Sequence, residues 1–291
     1  MPTPLPTPAA PRALTPAFPD LATGPAAPVP ATSWNLPRAC ARAAIVADYR
    51  ERGHAIVQVP GPPPTENDLV ALARALDLGP AFTPPMYTTG AHTAHTAHGV
   101  SRIAAAPDAA HPFQDRAGQN VHTDGTLQRL GEIPTTIMMC AHPAATGGST
   151  LLFNVLAAYA ELAAHDPAAA SQLAHPQALV RASTFVEGVF TTGPAFGRDA
   201  HGIAITRYSR TATDSYRATR GGEADLARAL AHLEAAARPG SRHRLDFTLA
   251  AGQALILAND RLCHGRTPYR DTDEQPHRLI LRGLFTTRPT A

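Results

Sequence analysis

Apolar and polar residues alternate along this chain in a way that divides it into short segments of two periods. Residues 39–52 carry Ala43, Ile45 and Val46 on one side of a helical projection, and Gly53 supplies a stop. The run His54-Ala55-Ile56-Val57-Gln58-Val59 reads as a short apolar strand closed by Pro60. Thr65 with Asp68 forms a capping-box start, with Asp in the usual Glu place, for a helix bearing Leu69, Leu72, Ala73 and Leu76. Residues 80–118 are turn-rich, and from residue 119 the pattern turns to strands. Val121, Thr123 and Ile137-Met138-Met139-Cys140 are strand-like, and Gly147-Gly148 make a turn into Ser149–Phe153. Asn154 caps a helix with Val155, Tyr159 and Leu162 on one face. Further strands are expected at 178–186, 202–208, 244–249, 254–258 and 277–286, and a helix at 223–237 with Leu226, Leu230 and Leu233 in one stripe. Many strands with a few helices point to a mainly β protein with flanking α-helices, a jelly roll.

Composition narrows this picture. The chain has 291 residues, within reach of one large catalytic domain although length alone would permit two, and 44% of them are hydrophobic, enough for a substantial core. A net charge of +2 and no Lys/Arg run give no reason to expect a nucleic-acid polymer as partner. No apolar stretch reaches the ~18 residues of a membrane span, and no signal peptide is read at the N-terminus. Three scattered cysteines, Cys40, Cys140 and Cys263, fit a reducing cytoplasm, with Cys263 read as buried filler. Residues 1–37 hold 11 of the 29 prolines and are expected to form a flexible arm, pinned at its end by Trp34. The expected organisation is that arm followed by a catalytic domain over 38–291. The partner is expected to be a small molecule, and oligomeric state is not legible.

Candidate chemistry centres on His122-Thr123-Asp124-Gly125. A histidine and a carboxylate two apart on a strand share a face, and His264, 142 residues later, completes a set of two His and one carboxylate. With open coordination positions this is the facial triad of non-haem Fe(II) oxygenases, although zinc accepts the same donors. His264 follows the apolar strand 254–258 and precedes Gly265-Arg266 and the segment His277–Arg282. Asn120 shares the face of His122 and is a candidate substrate contact. His92, His95 and His98 repeat at spacing three, and are read as a polar surface loop with a substrate-facing lid as the functional competitor.

Four pieces carry a resemblance: His-Thr-Asp-Gly at 122–125, Gly-Gly-Ser-Thr at 147–150, Asn-Asp-Arg-Leu-Cys-His-Gly-Arg at 259–266, and the pair Arg278 and Arg282. Together they resemble the taurine dioxygenase family of Fe(II)/2-oxoglutarate oxygenases, and are similar to clavaminate-synthase-type enzymes. The resemblance implies a double-stranded β-helix and His122, Asp124 and His264 as iron ligands. It implies Arg278 on the far carboxylate of 2-oxoglutarate, with the Thr150 hydroxyl assisting, because a planar guanidinium binds a carboxylate through two parallel hydrogen bonds. Arg282, four residues on and on the same face, is expected either to meet an acidic group of the substrate or to serve in a structural ion pair. The implied cofactors are Fe(2+), 2-oxoglutarate as co-substrate, and O2. The implied reaction hydroxylates or otherwise oxidises an unactivated C–H bond of a small acidic molecule such as an amino acid or natural-product intermediate. Asp124 at the carboxylate position points away from halogenation. The rival readings are a metal-dependent hydrolase and a non-catalytic jelly-roll binding protein.

Overall fold

Two sheets, brought together from strands far apart in the chain, carry the site. The computed structural model describes residues 18–21, 24–85, 96–106, 114–183 and 186–290. The larger sheet orders seven strands as Val29–Pro30, His54–Gln58, Gln253–Ala258, Thr135–His142, Leu279–Phe285, Val100–Ile103 and Thr96–Ala97. The smaller orders four as Arg244–Phe247, Thr150–Phe153, Cys263–Arg266 and Gln119–His122. Every pairing in the two sheets is antiparallel except Val29–Pro30 against Val57–Gln58.

The central strands of the large sheet read as continuous apolar runs because both of their faces are covered. On the outer face Ile45, Tyr49, Leu69 and Leu72, from helices Ala39–Arg52 and Glu66–Ala75, join Val57, Met139 and Leu255 in one core. On the inner face Met138, Ile280 and Leu284 line a cavity whose opposite wall is the small sheet. A second core packs helices Val155–His165, Pro167–Ala174 and Glu223–Ala236 around Phe153, Phe196 and Tyr208. Among the described residues, no helix is long and apolar enough to cross a membrane.

Local stop and start signals act as the sequence implies. Gly53 ends the first helix at φ +76° with its N–H on the Tyr49 carbonyl, and a Cβ there would strike the Phe18 ring. Thr65 and Asp68 form the reciprocal capping box, and Asn154 accepts from the Ala157 N–H at 3.2 Å. Helix Pro167–Ala174 was not anticipated. Its alanines give no amphipathic period, but Asp166 caps it through the Ala169 N–H at 3.0 Å and Pro167 opens it.

The expected domain start at residue 38 falls inside the packed structure. Phe18, Leu21, Trp34 and Leu36 are buried in the main core, and Val29–Pro30 extends the large sheet. Proline bars helix here but not an edge strand, and the few large apolar residues between the prolines supply the burial. Residues 1–17 of the expected arm lie outside the described residues. Of the histidine tract, His92 and His95 also lie outside them; His98 is exposed at φ +53° in the turn between Thr96–Ala97 and Val100–Ile103.

Candidate metal centre and active site

His122 ends its strand directly opposite His264. Directly paired residues on antiparallel strands point to one face, and the two ring centroids lie 4.5 Å apart. Close strand approach is enabled by Gly265, whose Cβ would sit 2.6 Å from the Gln119 carbonyl oxygen. The chain then leaves the sheet through Thr123 and Asp124 and turns at Gly125, φ +92°. This turn brings Asp124 Oδ2 to 3.6 Å from His264 Nε2. One donor atom from each of His122, Asp124 and His264 lies within 4.8 Å of the others.

Neighbouring groups fix the protonation and aim of this triad. His122 Nδ1 donates to the Asn120 carbonyl at 2.8 Å, leaving the Nε2 lone pair as the ligand position. Asp124 Oδ2 accepts from the Thr136 hydroxyl at 3.0 Å, and Oδ1 from Arg282 Nη1 at 2.7 Å. Burial alone would raise the Asp124 carboxyl, but Arg282 and then the two histidines bring it down to about 2. Burial pushes His264 down to about 3 against the pull of Asp124, and lowers His122 in the same way. At neutral pH the set is therefore two neutral imidazoles and a carboxylate, the form in which these groups bind a metal.

Two further residues hold the turn itself. Asn259 accepts the Asp124 N–H at 2.7 Å and donates to the carbonyls of Asp124 at 3.2 Å and Ile133 at 2.8 Å. Arg181, buried and ion-paired with Asp214, donates to the Thr123 carbonyl at 3.0 Å. Asn259→Ala strands three buried backbone groups, each worth about 1–3 kcal/mol. We expect it to lower stability by about 3 kcal/mol or more in urea denaturation and to weaken metal binding by roughly 10- to 100-fold.

The other end of the cavity is basic. Thr150, Arg266 and Arg278 line it, with Thr150 the direct strand partner of Arg266. Both arginines are buried, and both guanidinium carbons lie over the Tyr269 ring, at 4.8 Å and 5.0 Å. Burial, then Arg278, lowers Arg266 to about 10. Arg278 Nη1 is buried with no hydrogen-bond partner. A buried donor of this kind fits an incoming carboxylate, as 2-oxoglutarate would present.

One cavity of about 360 Å³ is thus lined by every site residue expected from sequence: Asn120, His122, Asp124, Thr150, His264, Arg278 and Arg282. Arg282 and Asn120 have protein partners as well. Arg282 sits on Asp124, and Asn120 Nδ2 donates to the Arg210 carbonyl at 3.0 Å. Sequence reasoning missed Thr136, Arg181 and Asn259. Asn259 stands at the head of the 259–266 motif, and its position five before the distal histidine was the available signal. Thr136 and Arg181 act across the fold and leave none.

Residues 24–284 match the family described as taurine catabolism dioxygenase TauD, TfdA family. A uridine-5'-phosphate dioxygenase of an Amycolatopsis species is 41% identical over 85% of this chain and 90% of its own length. A second protein of that name, from a Streptomyces species, is 36% identical over 76% and 80%. A solved structure of asparagine oxygenase with Fe(II), 3-hydroxyasparagine and succinate superposes with TM-score 0.65 at 17% identity, covering 87% of this chain and 81% of that one. The non-heme iron oxygenase OrfP with Fe and alpha-ketoglutaric acid gives 0.61 at 15%, covering 84% and 77%. The structural likenesses show the jelly-roll fold. The sequence matches, together with the geometry above, place the chain in the taurine catabolism dioxygenase TauD, TfdA family, as an Fe(II)- and 2-oxoglutarate-dependent dioxygenase.

Proposed function

We propose that His122, Asp124 and His264 hold one Fe(II), that Arg278 and Thr150 bind the far carboxylate of 2-oxoglutarate, and that the oxidised substrate is uridine 5'-phosphate or a close nucleotide analogue. The observation that carries the metal reading is the convergence of three donor atoms within 4.8 Å in a cavity that also holds Arg278. When bound, the iron supplies the O2 activation that splits 2-oxoglutarate to succinate and CO2 while a C–H bond is oxidised.

The protein's own contribution is placement and exclusion. The Asn120 carbonyl holds the His122 tautomer, and Arg282 with Thr136 holds the carboxylate of Asp124. Ile103, Met138, Ile280 and Leu284 form an apolar wall that keeps water from the reacting carbon. Arg278 orients the co-substrate along the cavity. Arg282 acts on a substrate anion through its charge, and Asn120 faces the same region.

The two relatives at 41% and 36% identity support a nucleotide substrate, and the charge of the cavity suits anionic ligands. Among the described residues lining it are four arginines, at 181, 266, 278 and 282, against one acid, Asp124. Arg181 is ion-paired with Asp214 and Arg282 with Asp124, so the excess rests on Arg266 and Arg278 and suits the co-substrate dianion. The single acid also disfavours a metal hydrolase, which needs a general base beside the metal ligands. We place the reaction in the cytoplasm, consistent with three free thiols of which Cys140 and Cys263 are buried.

The test is succinate release with uridine 5'-phosphate, uridine and uracil as substrates. Turnover is expected with uridine 5'-phosphate at least about tenfold above uridine, since an anion site left empty forfeits its contacts. Equal turnover with uridine, or none above the substrate-free background, would contradict the substrate assignment.

A further inference from the structure

Arg266 lines the basic end of the cavity beside Arg278 and Thr150. It lies two residues beyond His264 on the same strand, so both side chains face the cavity. It is 4% exposed, and its direct cross-strand partner is Thr150. Only Nη2 is used by the protein, donating to the carbonyls of Asp115, at 2.7 Å, and Ala117. Nε and Nη1 are buried with no hydrogen-bond partner, as is Nη1 of Arg278. Tyr269 lies against both guanidiniums. Among the described residues, neither arginine has a carboxylate at ion-pair distance.

Two buried like charges against one aromatic ring, with donors left over, are costly unless an anion joins them. A carboxylate has two oxygens and about four acceptor positions, enough to take donors from two guanidiniums and a hydroxyl. We propose that Arg266 is a second 2-oxoglutarate-binding residue, closing with Arg278 and Thr150 a two-arginine clamp on the far carboxylate. This rests on the reading of Arg278 and Thr150 given above. The alternative role, holding the 115–117 segment, uses Nη2 alone and leaves the other two nitrogens unexplained.

The clamp is tested by anaerobic calorimetry on the Fe(II)-loaded protein with two ligands. One is 2-oxoglutarate. The other is 2-oxopentanoate, which keeps the 2-oxo acid end and lacks the far carboxylate. Arg266→Met should weaken 2-oxoglutarate by about 30-fold or more and leave 2-oxopentanoate within about twofold. Arg266→Lys keeps the charge but not the planar fork, and should lose roughly several-fold in preference for 2-oxoglutarate. If Arg266→Met does not fold, the Lys variant decides: an unchanged preference overturns the clamp. Equal weakening of both ligands would show a merely structural arginine and also overturn it. Loss of 2-oxoglutarate preference in Arg278→Met but not in either Arg266 variant would remove the clamp while preserving the Arg278 reading. Unchanged preference in all three would remove both.

Discussion

His264→Ala should abolish 2-oxoglutarate-dependent succinate formation. Its Nε2 faces Asp124 Oδ2 at 3.6 Å, and no other described His, Cys, Asp or Glu joins the triad to replace it. Substitutions that merely disturb a metal ligand's support cost about 10- to 100-fold in affinity or activity, so loss of the ligand itself should exceed about 100-fold. The fold should survive, because His264 contributes little to either apolar core. The paired measurement is iron content alongside succinate release. An iron-free, folded and inactive variant is expected; unchanged turnover would remove the metal assignment.

Arg278→Ala is expected to act on the co-substrate rather than the metal. The guanidinium is buried at the basic end of the cavity, and removing one partner of a buried charged pair costs about 2–5 kcal/mol. The apparent KM for 2-oxoglutarate should rise by about 100-fold, with iron binding retained. Saturating 2-oxoglutarate should recover much of kcat. An unchanged KM would show that Arg278 is misassigned. The residue was legible through the family resemblance, as the arginine 14 residues after His264, and it lines the cavity just ahead of the strand Leu279–Phe285. The orphaned Nη1 that makes the site receptive was not, since it depends on which neighbours fail to reach it.

The same division runs through the whole molecule. Strands at the sheet centre were readable because double-sided burial writes a continuous apolar run, as at Ile137–Cys140. Helix starts at Thr65 and Asn154 were readable because capping is local chemistry. The short strands around Phe190–Gly193 and Asp214–Tyr216 were not separately visible, because their register comes from pairing with Leu179–Ala182. The candidate metal donors His122, Asp124 and His264 were legible from residue type and spacing. Their supports were not, since Thr136 and Arg181 reach Asp124 and Thr123 only through tertiary contact. Before residue 38 the expected pin Trp34 is buried, while the proline content hid three further anchors, Phe18, Leu21 and Leu36.

Anaerobic titration of the metal-free protein with Fe(II), followed by 2-oxoglutarate, tests the central claim most directly. One iron per chain is expected, with a weak visible absorption that appears only when 2-oxoglutarate is added and is absent in the Ala variants of His122, Asp124 and His264. Full iron uptake by all three variants, or a spectrum indifferent to 2-oxoglutarate, would contradict it.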